Sequence, residues 1–112
     1  MAALPSGNLY AAVATGGPDE RFDLLAQSPG VRIERILSTG QASPPGFWYD
    51  QPEDEFVLLL SGAALLRLEM DNRILDLKPG DWIDIPAHCR HRVEATQADP
   101  PTVWLVVHRK RI

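Results

Sequence analysis

Short apolar runs that end at turns constrain the fold of this chain more than any other feature of its sequence. Typical runs are VRIERILS (31–38), EFVLLLSG (55–62) and TVWLVVH (102–108). Turn signals separate such runs: TGQASPPG (39–46), Asp71-Asn72 and KPGD (78–81). Runs of this length, rich in β-branched residues and bounded by Gly, Pro, Asn and Asp, indicate strands. The pattern predicts an all-β domain, a sandwich or small barrel of about eight or more short antiparallel strands.

The length of the chain suits one compact domain, since it has 112 residues. Residues 1–30 are expected to form an N-terminal arm and an edge segment. Within them, DERFDLLAQ (19–27) reads either as a short helix or as an irregular edge strand. The barrel is expected over residues 31–108, with a short strand at FWYDQ (47–51). Residues 109–112 read as a basic C-terminal tail.

Charge and composition argue against several classes of partner. The net charge is -4, and the one basic cluster is Arg109-Lys110-Arg111, which is unlike a nucleic-acid binder with its clustered cations. No apolar stretch approaches the roughly 18 residues of a membrane helix, and the N-terminus lacks the pattern of a signal peptide. Cys89 is the only cysteine, so no intrachain disulfide can form. A cytoplasmic location is expected, with Cys89 as a small core residue.

Two stretches carry motif-like spacings. In WYDQPEDEFVLLLSG (48–62), Glu55 is followed by six residues and then Gly62. In GDWIDIPAHCRH (80–91), five residues separate Gly80 from Pro86, and His91 stands five residues beyond Pro86. The sequence here resembles the cupin superfamily, whose motifs are G-x5-H-x-H-x3/4-E-x6-G and G-x5-P-x-G-x2-H-x3-N. The resemblance covers about residues 31–108 and implies a jelly-roll β-barrel.

The first motif departs from the family pattern at both histidine positions. With three residues before the glutamate these positions fall on Tyr49 and Gln51, and with four they fall on Trp48 and Asp50. Side chains alternate along a strand, so only one of these two sets faces the barrel interior. Burial of an unpaired Asp50 would be costly, which favours the register with Tyr49 and Gln51 inside. In the second motif the family glycine is His88, and the terminal asparagine is Ala95.

The inferred site therefore consists of Tyr49, Gln51, Glu55 and His91. Familiar cupins bind a divalent transition metal through three histidines and one glutamate, and only Glu55 and His91 match those ligands. Gln51, Glu55 and His91 could still hold Fe, Mn, Zn or Ni, with Tyr49 as a fourth ligand. Loss of the metal is the open alternative. No organic cofactor is expected.

The remaining histidines and the tryptophans have less specific assignments. His88, His108 and Trp104 are expected to line the cavity, with His88 at its mouth and facing solvent. Trp48 and Trp82 are expected to pack in the core or at an interface. The face of the FVLLL run opposite Glu55 is apolar, so the second sheet or a partner subunit should cover it. The resemblance implies a homodimer.

The resemblance implies a small-molecule-binding cupin that acts on a small polar or anionic metabolite. As an enzyme it would be of oxygenase, isomerase or lyase type, with Tyr49, Glu55 and His91 as catalytic residues. Without metal, Glu55 and His91 could act as a general base and acid. The alternative is a non-catalytic binding or sensing module. Neither a nucleic acid nor a membrane is an expected partner.

Overall fold

The computed structural model describes residues 4–11, 13 and 18–111, which contain β-strands and turns and no α-helix. Eight strands follow one another along the chain: β1 Arg21–Ser28, β2 Val31–Ser38, β3 Glu53–Ser61, β4 Ala64–Leu68, β5 Arg73–Leu77, β6 Trp82–Ile85, β7 His91–Thr96 and β8 Thr102–Lys110. The expected all-β jelly roll is confirmed. No helix in this part of the chain could span a membrane.

The strands form two antiparallel sheets that face each other. The five-stranded sheet has the order β1-β2-β8-β3-β6, and the three-stranded sheet has the order β5-β4-β7. Their facing surfaces bury one core cluster, Val57, Leu59, Ala64, Leu66, Leu77, Ile85, Trp104 and Val106. Complete burial of one such aliphatic side chain contributes about 1.5–3 kcal/mol, so this cluster holds the two sheets together.

Two turns show why the chain requires particular residues between its strands. Asn72 has a φ of 52° in the hairpin between β4 and β5, a conformation that Asn tolerates better than most residues. Gly62 has a φ of +84°, and a Cβ there would lie 2.6 Å from the Cα of Thr102. The turn after β3 therefore excludes any side chain at residue 62.

The structure decides the assignment of residues 19–27. Residues 21–28 form edge strand β1, which pairs with β2 and is irregular between Leu24 and Ala26. At the other end of the chain, β8 runs through Lys110, two residues into the segment expected to be a tail.

The expected short strand at 47–51 is reduced to a single bridge, between Tyr49 and His91. Pro52 follows this segment directly and cannot donate a hydrogen bond to a sheet ladder, which fits the short pairing. The segment nevertheless lies beside β7, an edge strand of the three-stranded sheet, because Tyr49 pairs with the first residue of β7.

Candidate functional site

A cavity of about 210 Å³ lies between the two sheets. It is smaller than the roughly 300–1,000 Å³ of pockets that bind drug-sized molecules, so it suits a small metabolite. About half of its lining residues are apolar, among them Val57, Leu66 and Val106. The polar lining residues are Glu20, Arg32, Glu34, Tyr49, Gln51, Glu55, His91 and His108. All four residues of the site inferred from the motifs are in this set.

Glu55 and His91 face each other across the cavity from β3 and β7. Glu55 Oε2 lies 3.7 Å from His91 Nε2, and the two side chains are 12% and 6% exposed. The Nδ1 of His91 lies 2.9 Å from the carbonyl oxygen of Cys89. A carbonyl only accepts, so Nδ1 carries the ring proton, and the lone pair of Nε2 is turned toward Glu55.

Burial shifts the pKa values of this pair in opposite directions. It raises the pKa of the Glu55 carboxyl, and the electrostatic interaction with His108 offsets part of that rise. It lowers the pKa of His91, against the opposing effect of the hydrogen bond to Cys89. Both shifts favour neutral forms, because burial away from water penalises the charged form of either group. The result is a carboxyl that can donate a proton beside an imidazole that can accept one.

Tyr49 and Gln51 approach the pair from the segment before β3. The backbone N–H of Tyr49 donates to the carbonyl of His91 at 2.7 Å, and the two rings stack at 5.4 Å. Burial, followed by the charges of Glu20 and Glu55, raises the pKa of Tyr49, so its phenol stays protonated and can donate. The Oε1 of Gln51 is buried, and no group within residues 4–11, 13 and 18–111 donates to it.

The other charges of the acidic segment lie outside the cavity lining. Asp50 is exposed, and its Oδ1 lies 2.8 Å from Nδ1 of His88. Asp54 accepts from the backbone N–H of Ala87 and from Arg111, both at 2.8 Å. These two bonds hold the pKa of Asp54 below its usual value.

His88 faces solvent and is not among the residues that line the cavity, where it was also expected. Its side chain is 69% exposed. The backbone of His88 has a φ of 61°, and its N–H donates to the carbonyl of Gln51 at 2.8 Å. This turn, together with the Asp50 contact, holds the imidazole at the surface.

A second glutamate–histidine pair lies in the same cavity. The Nε2 of His108, on β8, lies 2.8 Å from Oε1 of Glu34, on β2. Arg32 lies beside Glu34: its guanidinium is 3.9 Å from the carboxylate of Glu34 and 3.5 Å from that of Glu53. His108 was expected to line the cavity, but the motifs assigned no role to Arg32 or Glu34. The available signal was the alternation of β2, which places Arg32 and Glu34 on one face without indicating that this face is inward.

Trp104 lines the cavity, as expected, and donates from Nε1 to Ser38 Oγ at 3.0 Å. Glu20, which also lines it, lies directly before β1 and accepts from the Ser38 hydroxyl. No sequence signal distinguished Glu20. Cys89 packs half-buried against the core, and Trp82 is 62% exposed on the outer surface of the five-stranded sheet.

The donor set does not fit the metal centre of familiar cupins. Within the described part of the chain, no three His, Cys, Asp or Glu side chains converge as metal ligands. Glu55 and His91 are the one strong pair at the expected place, and Gln51 adds an amide oxygen where the family has an imidazole. Stable transition-metal sites generally use three or four strong donors, which these residues do not supply.

The fold and the cavity define a cupin, and sequence comparison agrees. The profile of the cupin domain matches residues 35–108. The chain belongs to this family, which confirms the resemblance in its motifs.

Two solved structures and one curated enzyme illustrate what the chain is similar to. The crystal structure of a candidate mannose-6-phosphate isomerase from Ralstonia eutropha JMP134 superposes with a TM-score of 0.91 at 54% identity, covering 95% of this chain and 98% of that one. A cupin superfamily protein from Desulfitobacterium hafniense DCB-2 superposes with a TM-score of 0.76 at 23% identity, covering 96% and 90%.

A curated relative is the 3-hydroxyanthranilate 3,4-dioxygenase of Paraburkholderia phytofirmans. It is 38% identical over 66 residues, which is 57% of this chain and 37% of the relative. The chain therefore spans little more than a third of the length of that enzyme.

Proposed function

We propose that this cupin is an acid–base enzyme of the isomerase or lyase type, acting on a small polar metabolite held in its cavity. One observation carries the proposal: Glu55 and His91 face each other at 3.7 Å in the cavity between the two sheets. Their pKa values move in opposite directions, both because of burial. Pairs whose environments shift titration in this way are typical of proton-transfer sites.

The chemistry follows from the states that burial favours. His91 Nε2, with its lone pair in the cavity, would take a proton from the carbon next to a substrate carbonyl. The protonated Glu55 carboxyl would donate to the carbonyl oxygen, giving an enol. With an α-hydroxy carbonyl substrate, the Glu55 carboxylate would then take the α-hydroxyl proton while His91 returns its proton to the former carbonyl carbon, which completes an isomerisation. Loss of a leaving group from the β-carbon of the enol would instead complete an elimination. Tyr49 would hold a substrate oxygen through its phenol O–H.

Proton transfer is preferred over oxygenation because it needs only groups that the chain supplies. The Ralstonia protein, at 54% identity over nearly the whole chain, is described as a candidate isomerase, which agrees with this class. The dioxygenase shares a shorter region, and oxygenation would require metal ligands that the donor set lacks.

The decisive experiment is solvent exchange followed by NMR. The protein, freed of divalent ions, is incubated in D₂O with α-hydroxyaldehydes, α-hydroxyketones and 2-oxo acids of three to six carbons. We expect deuterium incorporation next to the carbonyl, abolished in Glu55→Gln and His91→Ala and retained in Asp50→Asn. Asp50 is the matched control, since it belongs to the same segment but is exposed.

Two outcomes would reject the proposal. Ligands that raise the melting temperature without exchanging protons would indicate the non-catalytic binding or sensing module. Exchange or oxygen uptake that appears only after addition of Fe(II), Mn(II), Zn(II) or Ni(II) would indicate the metal-dependent enzyme.

We also propose that the protein pairs as a homodimer through the outer surface of the five-stranded sheet. Glu55 and Val57 point into the cavity, so Phe56 and Leu58 of the same strand point outward. They align with Val107 and Leu105 of β8, and Phe56 stacks on the exposed Trp82 at 5.5 Å. An apolar surface of this kind is stabilised when two copies pack sheet against sheet.

Light scattering after size exclusion tests the pairing. We expect a dimer for the parent and a monomer for Trp82→Glu. A monomeric parent at the same concentration would refute the homodimer.

A further inference from the structure

Two buried atoms of the cavity residues have no hydrogen-bond partner within the described residues: Oε1 of Gln51 and Nδ1 of His108. His108 as a whole is only 4% exposed, and it lines the cavity together with Gln51. Buried polar atoms in folded proteins are nearly always paired. Two such atoms in one cavity point to a ligand that completes their hydrogen bonds.

The neighbours of His108 decide what its free nitrogen can do. Its Nε2 lies 2.8 Å from a carboxylate oxygen of Glu34, which accepts. Nε2 therefore carries a ring proton, and in the neutral ring Nδ1, which lies 3.9 Å from Glu53 Oε1 and thus beyond hydrogen-bond distance, presents a lone pair. The Oε1 of Gln51 is likewise an acceptor. Both atoms thus require hydrogen-bond donors from the ligand.

The charges around the cavity disfavour an anionic donor. Glu20 and Glu34 line the cavity, whereas Arg32 is the one lysine or arginine among the lining residues that the structure describes. Arg32 already faces Glu34 at 3.9 Å and Glu53 at 3.5 Å. A carboxylate or phosphate in the cavity would therefore meet like charges and find no free cation.

The size and apolar lining disfavour a cationic donor. The volume of about 210 Å³ equals the liquid volume of roughly seven water molecules. About half of the lining residues are apolar, and the lining carboxylates are already engaged, Glu34 by His108 and Arg32 and Glu20 by the Ser38 hydroxyl. Burial of an ammonium group without a free carboxylate is costly. A hydroxyl group donates without carrying charge, and the carbon skeleton of a polyol can pack against the apolar lining.

We infer that the ligand of the cavity is a small neutral polyhydroxy compound whose hydroxyl groups donate to Gln51 Oε1 and His108 Nδ1. This inference rests on the proposed function for the location of the site and names its substrate class. His108 is then a specificity-determining residue, held in its tautomer by Glu34. Glu55 and His91 carry the proton transfer at the same ligand.

Titrations with four probes test the inference in the parent and in three variants, His108→Gln, His88→Gln and Glu55→Gln. The neutral probes are erythritol and D-mannose, and their anionic counterparts are erythronate and mannose 6-phosphate. His108→Gln retains an amide N–H toward Glu34 but places no acceptor at the position of Nδ1. His88→Gln is the matched control, because it makes the same substitution at a histidine outside the cavity. Binding is followed by calorimetry and by ¹⁵N shifts of the histidine rings.

We expect at least one neutral probe to bind saturably and to shift the Nδ1 resonance of His108. Its affinity should fall about five- to tenfold in His108→Gln, the effect of one lost neutral hydrogen bond, and stay unchanged in His88→Gln. Three results would overturn the inference. These are no binding of either neutral probe, tighter binding of the acid or phosphate than of its neutral counterpart, and equal affinity of the parent and His108→Gln.

Glu55→Gln separates this inference from the proposed function. It should bind the neutral probe but exchange no protons with the carbonyl compounds. If polyol binding fails while exchange depends on Glu55, the ligand class is wrong and the acid–base site stands. If polyols bind through His108 but exchange never occurs, the ligand class stands and the enzyme is rejected.

Discussion

Two glutamate–histidine pairs line one cavity, and they differ in whether the glutamate and the histidine are hydrogen-bonded to each other. Glu34 and His108 are joined by a 2.8 Å hydrogen bond, and Arg32 lies beside them. Glu55 and His91 stand 3.7 Å apart, beyond hydrogen-bond distance. The first pair has the geometry of a fixed structural contact, and the second keeps a donor and an acceptor free.

The difference shows how one fold can use the same two residue types for two purposes. A glutamate that accepts from a buried imidazole fixes the tautomer of that ring and stabilises the strands that carry it. A glutamate left without a partner in an apolar site has a raised pKa and is available for proton exchange. Substitution of either glutamate should therefore affect a different property of the protein.

The largest expected effect is on proton transfer by the unpaired glutamate. Glu55→Gln keeps the shape of the side chain but cannot donate an ionisable proton. The exchange rate in D₂O should fall about 10²–10⁴-fold, the usual contribution of a general acid or base. A loss below about tenfold would mean that Glu55 is not the acid, since general catalysis contributes more than this.

The next effect is on stability, through the paired glutamate. Glu34→Ala leaves the buried Nε2–H of His108 without an acceptor, so the free energy of unfolding should fall by about 1–3 kcal/mol. Urea denaturation measures this loss, and Glu34→Gln, which retains an acceptor oxygen, should restore most of it. An unchanged unfolding midpoint in Glu34→Ala would show that the contact is not structural.

A smaller effect is expected on the pH dependence of the melting temperature, which reports the raised pKa of Glu55. The pKa of Glu55 is raised in the folded protein. This side chain therefore stabilises the folded state at pH values below its ordinary pKa of 4.5, and that contribution is lost as the pH rises through the pKa of the folded state. Glu55→Gln has no such loss, so its melting temperature should exceed that of the parent by a few degrees at high pH, with the gain vanishing near pH 4.5.

The lowered pKa of His91 acts in the opposite direction, reducing stability as pH falls below 6.5. This effect of His91 is present in both the parent and Glu55→Gln, so it largely cancels when their melting temperatures are compared. Melting curves at closely spaced pH values check the result. A difference between Glu55→Gln and the parent that does not vary with pH would contradict the raised pKa.

The smallest effect is expected at Arg32. Its side chain is 37% exposed, and its ion pairs with Glu34 and Glu53 are long. Such pairs contribute at most about 1 kcal/mol, so Arg32→Met should change the free energy of unfolding less than Glu34→Ala does. If the Arg32 variant proves the less stable of the two, the arginine and not the histidine hydrogen bond holds this side of the cavity.

Local sequence patterns predicted a large part of this structure. The apolar runs became β2 to β8, and the alternation of side chains placed Tyr49 and Gln51 together with Glu55 and His91. These features are local or follow from motif spacing, so they can be read before the fold is known. The turn at His88 was less predictable, because its positive φ and its contact with Asp50 direct the side chain to the surface.

The sequence by itself determined strands β2 to β8, the turns between them and the motif pair of Glu55 and His91. The tertiary structure alone decided the second pair, because Glu34 and His108 are 74 residues apart and meet only through the pairing of β2 with β8. The apolar–polar alternation of β2 is compatible with either face inward, and long-range pairing chose the face that carries Arg32 and Glu34. Which glutamate is paired and which is free therefore depends on contacts that no local pattern encodes.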